Sequence, residues 1–255
     1  MATQGRRVHS IEKAIFLLDC FLKERRALSL TELMKMTGWP KSTIHGMLAS
    51  MLDSAVIEQN PADGKYRLGY HLFELGSAVH TAWDIGALAR PRLLHIVATV
   101  NESAYLARLS GDELLLTDCV EPHSGFRVSS EVGSKLPLHC SSQGKAILST
   151  KSASEVRGLL RRSGMPAFTP QTATTPDLLL EELALVRERG YAEETEEYRA
   201  GLCSVAAPIF NRDGTCEFAL GIVGVAVSAQ DARNRAIVEV KDAAREISYE
   251  LGWRL

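Results

Sequence analysis

A cluster of polar side chains near residue 41 has the chemistry needed to read DNA. Hydroxyl, imidazole and ammonium groups on one face of a helix reach base edges and phosphates in the major groove, best from the first helical turn. An exposed helix N-terminus adds free N–H groups that attract phosphate. The sequence therefore predicts a recognition helix whose DNA contacts come from Lys41, Ser42, Thr43 and His45.

A basic hairpin follows this helix. The runs 56–59 and 65–68 read as two strands, and the turn between them ends in Asp63-Gly64. Lys65 and Arg67 fall on the second strand, where cations would hold phosphate. The hairpin predicts the wing of a winged helix-turn-helix.

Other signals give the helices that must position these residues. Ser10 is expected to cap a first helix, and Thr31 a second one over residues 32–36. Gly38 supplies the break before the recognition helix, because glycine takes a left-handed turn at no steric cost. Residues 28–69 thus predict a winged helix-turn-helix, although this module also serves as a protein-interaction domain in some proteins.

The charge is uneven along the chain. Net charge is −2 at pH 7, yet residues 1–67 hold ten basic and seven acidic side chains, which gives +3 locally and −5 for the remainder. A basic head on an acidic body is typical of one domain that faces nucleic acid and one that does not. Apolar runs fall short of the roughly 18 residues of a membrane span, so we expect a cytoplasmic protein without a membrane partner.

Enzyme and metal motifs are weak or missing in the sequence. The pattern S-x-x-K occurs at Ser142–Lys145, but also at Ser10–Lys13, and P-loop, G-x-S-x-G and G-x-G-x-x-G patterns do not occur. The five cysteines are scattered, so each is expected to be a small buried residue, and His139-Cys140 is expected to be structural. We predict no catalytic residues, no metal and no cofactor.

The second half of the chain alternates between strand and helix patterns. Helices are predicted over 85–100, 143–148, 155–160, 177–189 and 232–251, and strands over 103–109, 113–120, 204–210 and 218–227. This mixture predicts an α+β domain with helices at the edges of a sheet.

Four segments resemble the IclR family of bacterial transcriptional regulators. LSLTELMKMTGWPKSTIHGML and YRLGYHLFELG resemble the family's helix-turn-helix and wing-to-linker patterns. LHCSSQGKAIL and RERGYAEETEEYRAGLCSVAAPI resemble its two ligand-domain signatures. The resemblance implies a winged helix (1–69), a linker helix (70–84) and a GAF-like effector-binding and oligomerisation domain (85–255), which form homodimers and homotetramers on operator DNA.

The same resemblance implies an effector site in the second domain. The segment 141–145 opens a helix whose amides can hold a carboxylate, an acidic position falls on Glu194, and a polar position falls on Ser204. Cys203 lies one step away and should face the opposite side of its strand. The implied effector-binding residues are Ser141, Ser142, Gln143, Glu194, Ser204, Gly221 and Val223.

Two departures from the family pattern change the expected contacts. Where many members have S-I-S-G-P, this chain has Gly221-Ile222-Val223-Gly224-Val225, which removes two hydroxyls and should open space at Gly221. We hypothesise an effector that is larger and less polar than glyoxylate, such as an aromatic acid; anchoring elsewhere or a vestigial pocket are the alternatives. In the recognition helix, Gly46 replaces a common arginine.

These features together predict a ligand-responsive regulator, more readily a repressor than an activator, of a catabolic operon. Its partners would be pseudo-palindromic double-stranded operator DNA, a small organic acid and further copies of the chain. The effector would shift the DNA-binding heads, through the linker helix, between spacings that fit or miss the operator. A sensor that acts through protein contacts without DNA is the second hypothesis, and an enzyme is the third.

Overall fold

The computed structural model describes residues 8–82, 85–123, 128–225 and 230–254. The chain divides into two compact units, residues 1–83 and 84–255. Helices and strands both contribute to each unit, which confirms the predicted α+β class. Within the described ranges, no helix is long and apolar enough to cross a membrane.

The first unit is a helix-turn-helix followed by a hairpin and a further helix. Its elements in chain order are α1 (His9–Glu24), α2 (Leu30–Thr37), α3 (Lys41–Asp53), β1 (Ile57–Gln59), β2 (Tyr66–Leu68) and α4 (Tyr70–Ala82). Gly38 ends α2 in the left-handed region at φ +70°, so the chain turns sharply into α3 as the sequence predicts. β1 and β2 pair antiparallel.

One apolar cluster holds the three helices and the hairpin together. Leu17, Leu33, Ile44 and Leu48 are fully buried within it. The segment before α2 is tied to the wing by a bridge between Leu28 and Tyr66, whose backbone amides and carbonyls exchange two hydrogen bonds of 2.8 Å. The wing is therefore fixed to the helices by the backbone as well as by packing.

The two predicted helix caps are wrong. Val8, which has no capping side chain, precedes α1, and Ser10 lies inside that helix. Ser29 caps α2: its hydroxyl accepts from the Glu32 amide, while the Glu32 carboxylate accepts from the Ser29 amide at 2.8 Å. Ser29 and Glu32 have the S-x-x-E spacing of a capping box, whereas Thr31 has methionine three residues later.

The second unit is built on a six-stranded antiparallel sheet of order β5-β4-β3-β8-β7-β6. A helix, α5 (Ile85–Val100), precedes this sheet. The strands are β3 (Ser103–Ser110), β4 (Glu113–Val120), β5 (Lys135–Leu136), β6 (Ala192–Thr195), β7 (Cys203–Phe210) and β8 (Cys216–Gly224). The long strands agree with the predicted runs within two residues at each start, but β5 and β6 were not predicted. The predicted end of the last strand, 226–227, lies outside the described residues.

Helices cover both faces of this sheet. They are α6 (Ser142–Ser149), α7 (Ala153–Ser163), α8 (Pro176–Arg189) and α9 (Gln230–Glu250). α5 and α9 pack on one face over a core that includes Leu93, Val205 and Ile247, while α6 and α8 pack on the other over Ala107, Ile147 and Ala206. Alternate residues of β3, β7 and β8 therefore point into two separate cores.

Candidate functional sites

The first turn of α3 is open to solvent. Pro40 precedes the helix and supplies no side-chain cap, and no acidic residue lies in the first turn. Lys41, Ser42 and His45 are exposed and Thr43 is half-buried, whereas Ile44 is buried against α2. This arrangement differs from that of α2, where the capping box occupies the N-terminal amides. An uncapped, acid-free helix start suits a phosphate.

The wing places its two cations differently. The Arg67 guanidinium donates to a carboxylate oxygen of Glu58, directly opposite on β1, at 2.7 and 2.9 Å. Lys65 lies at the end of the turn, where its amide donates to Asp63. To bind a phosphate, the Arg67 guanidinium would therefore have to release Glu58 or contact both groups at once. Lys65 contacts an acidic side chain only through its backbone amide.

Three of the four predicted effector residues of the sheet lie in one cross-strand row, and the fourth, Gly221, lies in a neighbouring row, paired with Ala206 and Tyr105. Glu194 of β6 pairs with Ser204 of β7, Ser204 with Val223 of β8, and Val223 with Ser103 of β3. This row faces α6, and Cys203 lies in the core on the opposite face. Ser204 and Cys203 therefore point to opposite faces of the sheet, as the sequence predicts.

Glu194 is buried, and its carboxylate accepts hydrogen bonds from the following turn and from the neighbouring strand. One carboxylate oxygen accepts from the amides of Glu197 and Tyr198 at 2.8 and 3.1 Å, and the other accepts from the Ser204 hydroxyl at 2.8 Å. Burial raises the pKa of this carboxyl, although these three donors favour its charged form. The Ser204 hydroxyl proton is donated to Glu194. Toward a ligand, the Ser204 oxygen can therefore act only as a hydrogen-bond acceptor.

The start of α6 lies beside this row. Ser141 caps the helix, with its hydroxyl accepting from the Gly144 amide at 3.2 Å, and Ser142 and Gln143 are buried in the first turn. The expected space at Gly221 does not exist: a Cβ there would lie 2.8 Å from the Gln143 amide nitrogen. The missing serine side chain is thus replaced by a glutamine from the facing helix, so the wall keeps a polar group.

A fully buried lysine links the elements around this polar row. The Lys145 ammonium donates to Glu182 of α8 at 2.7 Å and to Glu197, in the turn after β6, at 2.6 Å. Burial raises the pKa of Glu197, while Lys145 acts in the opposite direction. The same turn supplies the amides that hold Glu194. One cation therefore fixes α6, α8 and the Glu194 loop relative to one another.

The histidine and cysteines near this site have structural roles. His139 donates from Nε2 to the Pro166 carbonyl at 3.0 Å and stacks on Phe168. Burial raises the pKa of the Cys140 thiol to about 12, so it stays protonated at neutral pH. Four of the five cysteines are buried, as expected, and Cys119 is partly exposed. Among the described residues, no group of three or more histidines, cysteines or acids could hold a metal.

Sequence reasoning missed three residues of this site. Lys145 is the lysine of the S-x-x-K match at Ser142, which had been set aside because the pattern recurs at Ser10. Glu197 and Tyr105 belong to no recognisable motif, yet Glu197 pairs with Lys145 and Tyr105 lies on β3 opposite Gly221. Lysine is almost never fully buried unless it is paired, so the residues around position 145 carry no signal that Lys145 is buried.

Comparison with known proteins identifies the class that this fold belongs to. Residues 10–61 match the model of the IclR helix-turn-helix domain, and residues 77–249 match that of the bacterial transcriptional regulator IclR C-terminal domain. The second match alone covers more than half of the chain. The chain belongs to the IclR family of DNA-binding transcriptional regulators, as the four sequence segments indicated.

Individual relatives are similar over nearly their whole length. The transcriptional repressor IclR of Escherichia coli K12 is 32% identical over 96% of this chain and 90% of its own. The crystal structure of an IclR regulator from Alicyclobacillus acidocaldarius superposes with a TM-score of 0.85 at 27% identity, covering 97% of this chain and 100% of its own. A homologue from Microbacterium hydrocarbonoxydans, complexed with 4-hydroxybenzoate, gives 0.83 at 25% identity, covering 95% and 98%. These families and relatives are regulators rather than enzymes, which confirms the prediction that this chain is no enzyme.

The buried lysine gives a testable stability prediction. Lys145→Met keeps the length of the side chain but leaves Glu197 buried without its cation, which we expect to cost about 3 kcal/mol of unfolding free energy at pH 7.5. Loss of Lys145 raises the pKa of Glu197 further, so the penalty is full above that pKa and shrinks as the pH falls toward the ordinary glutamate value of 4.5. Urea denaturation at pH 7.5 and pH 5, monitored by far-UV circular dichroism, measures both effects.

A second variant separates charge from packing. Lys145→Met combined with Glu197→Gln removes the stranded carboxylate, so it should recover part of the lost stability at pH 7.5 and show little pH dependence. Equal stability of the single and double variants, at both pH values, would show that the ion pair is not what holds this site.

Proposed function

We propose that this protein is a ligand-responsive repressor of a catabolic operon, bound to a pseudo-palindromic operator and controlled by a small organic acid. Support comes from the E. coli relative that is itself named a repressor and from the buried polar row beside the start of α6. Because its operator lies on the chromosome, we place the protein in the bacterial cytoplasm. An activator of the same class is the alternative, and it uses the same sites with the opposite effect of the ligand.

Exposed apolar residues of the first unit support a homodimer as the DNA-binding form. Along α1, apolar side chains recur at the three- and four-residue spacing of a coiled-coil seam, on a face other than the one that Leu17 buries. They are exposed by half or more at Ile11, Ile15 and Leu22, and Val8, just before the helix, continues the same spacing. A two-fold dimer built on this seam would read two symmetric half-sites, and pairs of dimers would give a tetramer.

The effector that fits the pocket has two different ends. The first-turn amides of α6, at Ser142 and Gln143, suit a carboxylate. Ser204, whose hydroxyl proton is held by Glu194, suits a hydrogen-bond donor. We therefore propose a hydroxylated aromatic acid, which is consistent with the 4-hydroxybenzoate that the Microbacterium homologue holds.

The proposed base contacts are tested by two alanine variants. Thr43→Ala and His45→Ala should each weaken operator binding by about 1–3 kcal/mol, because each removes a hydrogen bond to a base edge. Fluorescence anisotropy on DNA from upstream of the gene, at one fixed salt concentration, measures the change. Ser50→Ala is the control: Ser50 lies on the same helix, but its hydroxyl donates to the Gly46 carbonyl.

Unchanged affinity in both variants would remove these residues from the proposed contacts. If the wild-type protein binds no upstream fragment yet binds an organic acid, the hypothesis of a sensor acting through protein contacts takes the place of the repressor.

Gly46 offers a gain-of-function test. A Cβ at this position meets no atom within 4 Å, so a longer side chain fits on the exposed face of α3. Gly46→Arg should tighten operator binding and steepen its salt dependence by about one phosphate contact. Gly46→Ala is the matched control, since it stabilises the helix by up to about 1 kcal/mol without adding a cation. Equal affinity and equal salt slope in both variants would place residue 46 away from the DNA.

The effector class is tested by calorimetric titration with glyoxylate, benzoate and 4-hydroxybenzoate. We expect 4-hydroxybenzoate to bind most tightly, benzoate at least 10-fold more weakly, and glyoxylate weakest. Ser204→Ala should remove the advantage of the hydroxyl and leave benzoate unaffected, since benzoate has no hydroxyl to donate to Ser204. Tight binding of glyoxylate and none of the aromatic acids contradicts the proposal.

A further inference from the structure

A cavity lies in the C-terminal unit, beyond the N-terminal end of the short edge strand β6 and away from the polar row at Glu194. It has a volume of about 540 Å³ and opens between α8 and α9. β6 pairs with β7 only from Cys203 to Ala206. In the described part of the chain, the last residues of β7, Ala207–Phe210, consequently have no strand beside them on that edge. The two helices span this gap and leave a space of the size that small ligands occupy.

This open edge is blocked against a further strand. Pro208 has no amide proton, and the Phe210 amide donates to the Ser248 hydroxyl of α9 at 3.0 Å. An added strand would find neither of the backbone donors that it needs at these two positions. The cavity is therefore suited to a compact ligand rather than to an extended peptide.

The floor of the cavity is flat and aromatic. Phe210 and Trp253 are stacked, with ring centroids 4.7 Å apart and planes inclined by 18°. Val186, Ala207 and Ala244 complete the apolar lining. A planar or alicyclic ring could pack against this surface in the offset geometry that aromatic pairs prefer.

The rim of the cavity is cationic. Arg187, Lys241 and Arg245 line it together with one acid, Asp242, to which the Arg245 guanidinium donates at 2.8 Å, so the net charge is +2. Arg187 donates to the carbonyls of Ser149 and Lys151.

Lys241, the second rim cation, donates to the carbonyl of Arg189 at 3.1 Å. Carbonyls therefore fix these two cations at the carboxyl ends of α6 and α8. A guanidinium has five N–H groups, so Arg187 retains donors for an anion.

We propose that this cavity is a second small-molecule site, for an organic monoanion with a flat aromatic or alicyclic body. The ring would lie on Phe210 and Trp253, and the carboxylate would meet the cations of α8 and α9. The inference does not rest on the effector role proposed for the pocket at Glu194, because it uses none of that pocket's residues.

The fluorescence of Trp253 tests this site directly. The full chain has three tryptophans, and the double variant Trp39→Phe with Trp83→Phe keeps only Trp253. 3-Iodobenzoate should quench it in a saturable manner, since the iodine lies against the indole. Its neutral counterpart, 3-iodobenzamide, should bind at least 10-fold more weakly.

Two sets of variants then separate the sites. Lys241→Gln with Arg245→Gln should raise the dissociation constant of 3-iodobenzoate at least 10-fold. The control, Arg161→Gln with Arg235→Gln, removes the same charge from exposed positions that do not line the cavity. In this control, the dissociation constant of 3-iodobenzoate should stay within twofold of the wild-type value. Ser204→Ala should also leave it unchanged.

Three outcomes overturn the proposal: unsaturable quenching, equal affinity for the acid and the amide, or equal affinity in the Lys241/Arg245 variant and its control. A crystal soaked in 3-iodobenzoate provides an independent measurement, because the anomalous signal of iodine shows its position. Iodine at Glu194 alone would mean that the probe recognises only the effector pocket, and iodine beside Trp253 supports the second site.

Discussion

The geometry of the C-terminal unit depends on one cation held away from water. An ammonium group buried without partners would cost several kcal/mol, so the chain has to supply carboxylates wherever Lys145 lies. It does so from two separate elements, Glu182 on α8 and Glu197 in the turn after β6. The position of that turn decides where Glu194 lies, because its amides hold the Glu194 carboxylate. The ion pairs of Lys145 thus position the backbone amides that donate to Glu194.

The two units use helix N-termini in different ways. In the first unit, α2 has its amides closed by Ser29 and Glu32, and its role is to support the helix that follows. α3 begins at Pro40 with no such closure, and its first turn is exposed. In the second unit, Ser141 caps α6 but the helix start is buried beside polar groups of the sheet. Whether a helix start stabilises the fold or can meet a ligand is set by the residue before it and by what covers it.

Local patterns in the sequence predicted most of the architecture. The order of helices and strands, the left-handed turn at Gly38 and the opposite orientations of Cys203 and Ser204 all follow from spacing over a few residues. The capping box at Ser29 is equally local, because Glu32 follows Ser29 at the spacing that Thr31 lacks. The other errors arise from contacts between distant segments. Nothing near Gly221 in the sequence shows that Gln143 fills its space, and β6 is too short to have a pattern of its own.

Helix α6 runs from the polar row at Glu194 to the cavity between α8 and α9. Its eight residues span roughly 12 Å at 1.5 Å per residue, with Ser142 at one end and Ser149 near the other cavity. A ligand changes a conformational equilibrium only by the difference between its affinities for the two states. Lys145 lies in the first turn of this helix and is ion-paired to two other elements, so a shift of α6 along its axis would strain both ion pairs. The two ion pairs hold α6 relative to α8 and to the turn after β6, so a ligand would move this helix only by binding more tightly to a state in which these pairs are altered.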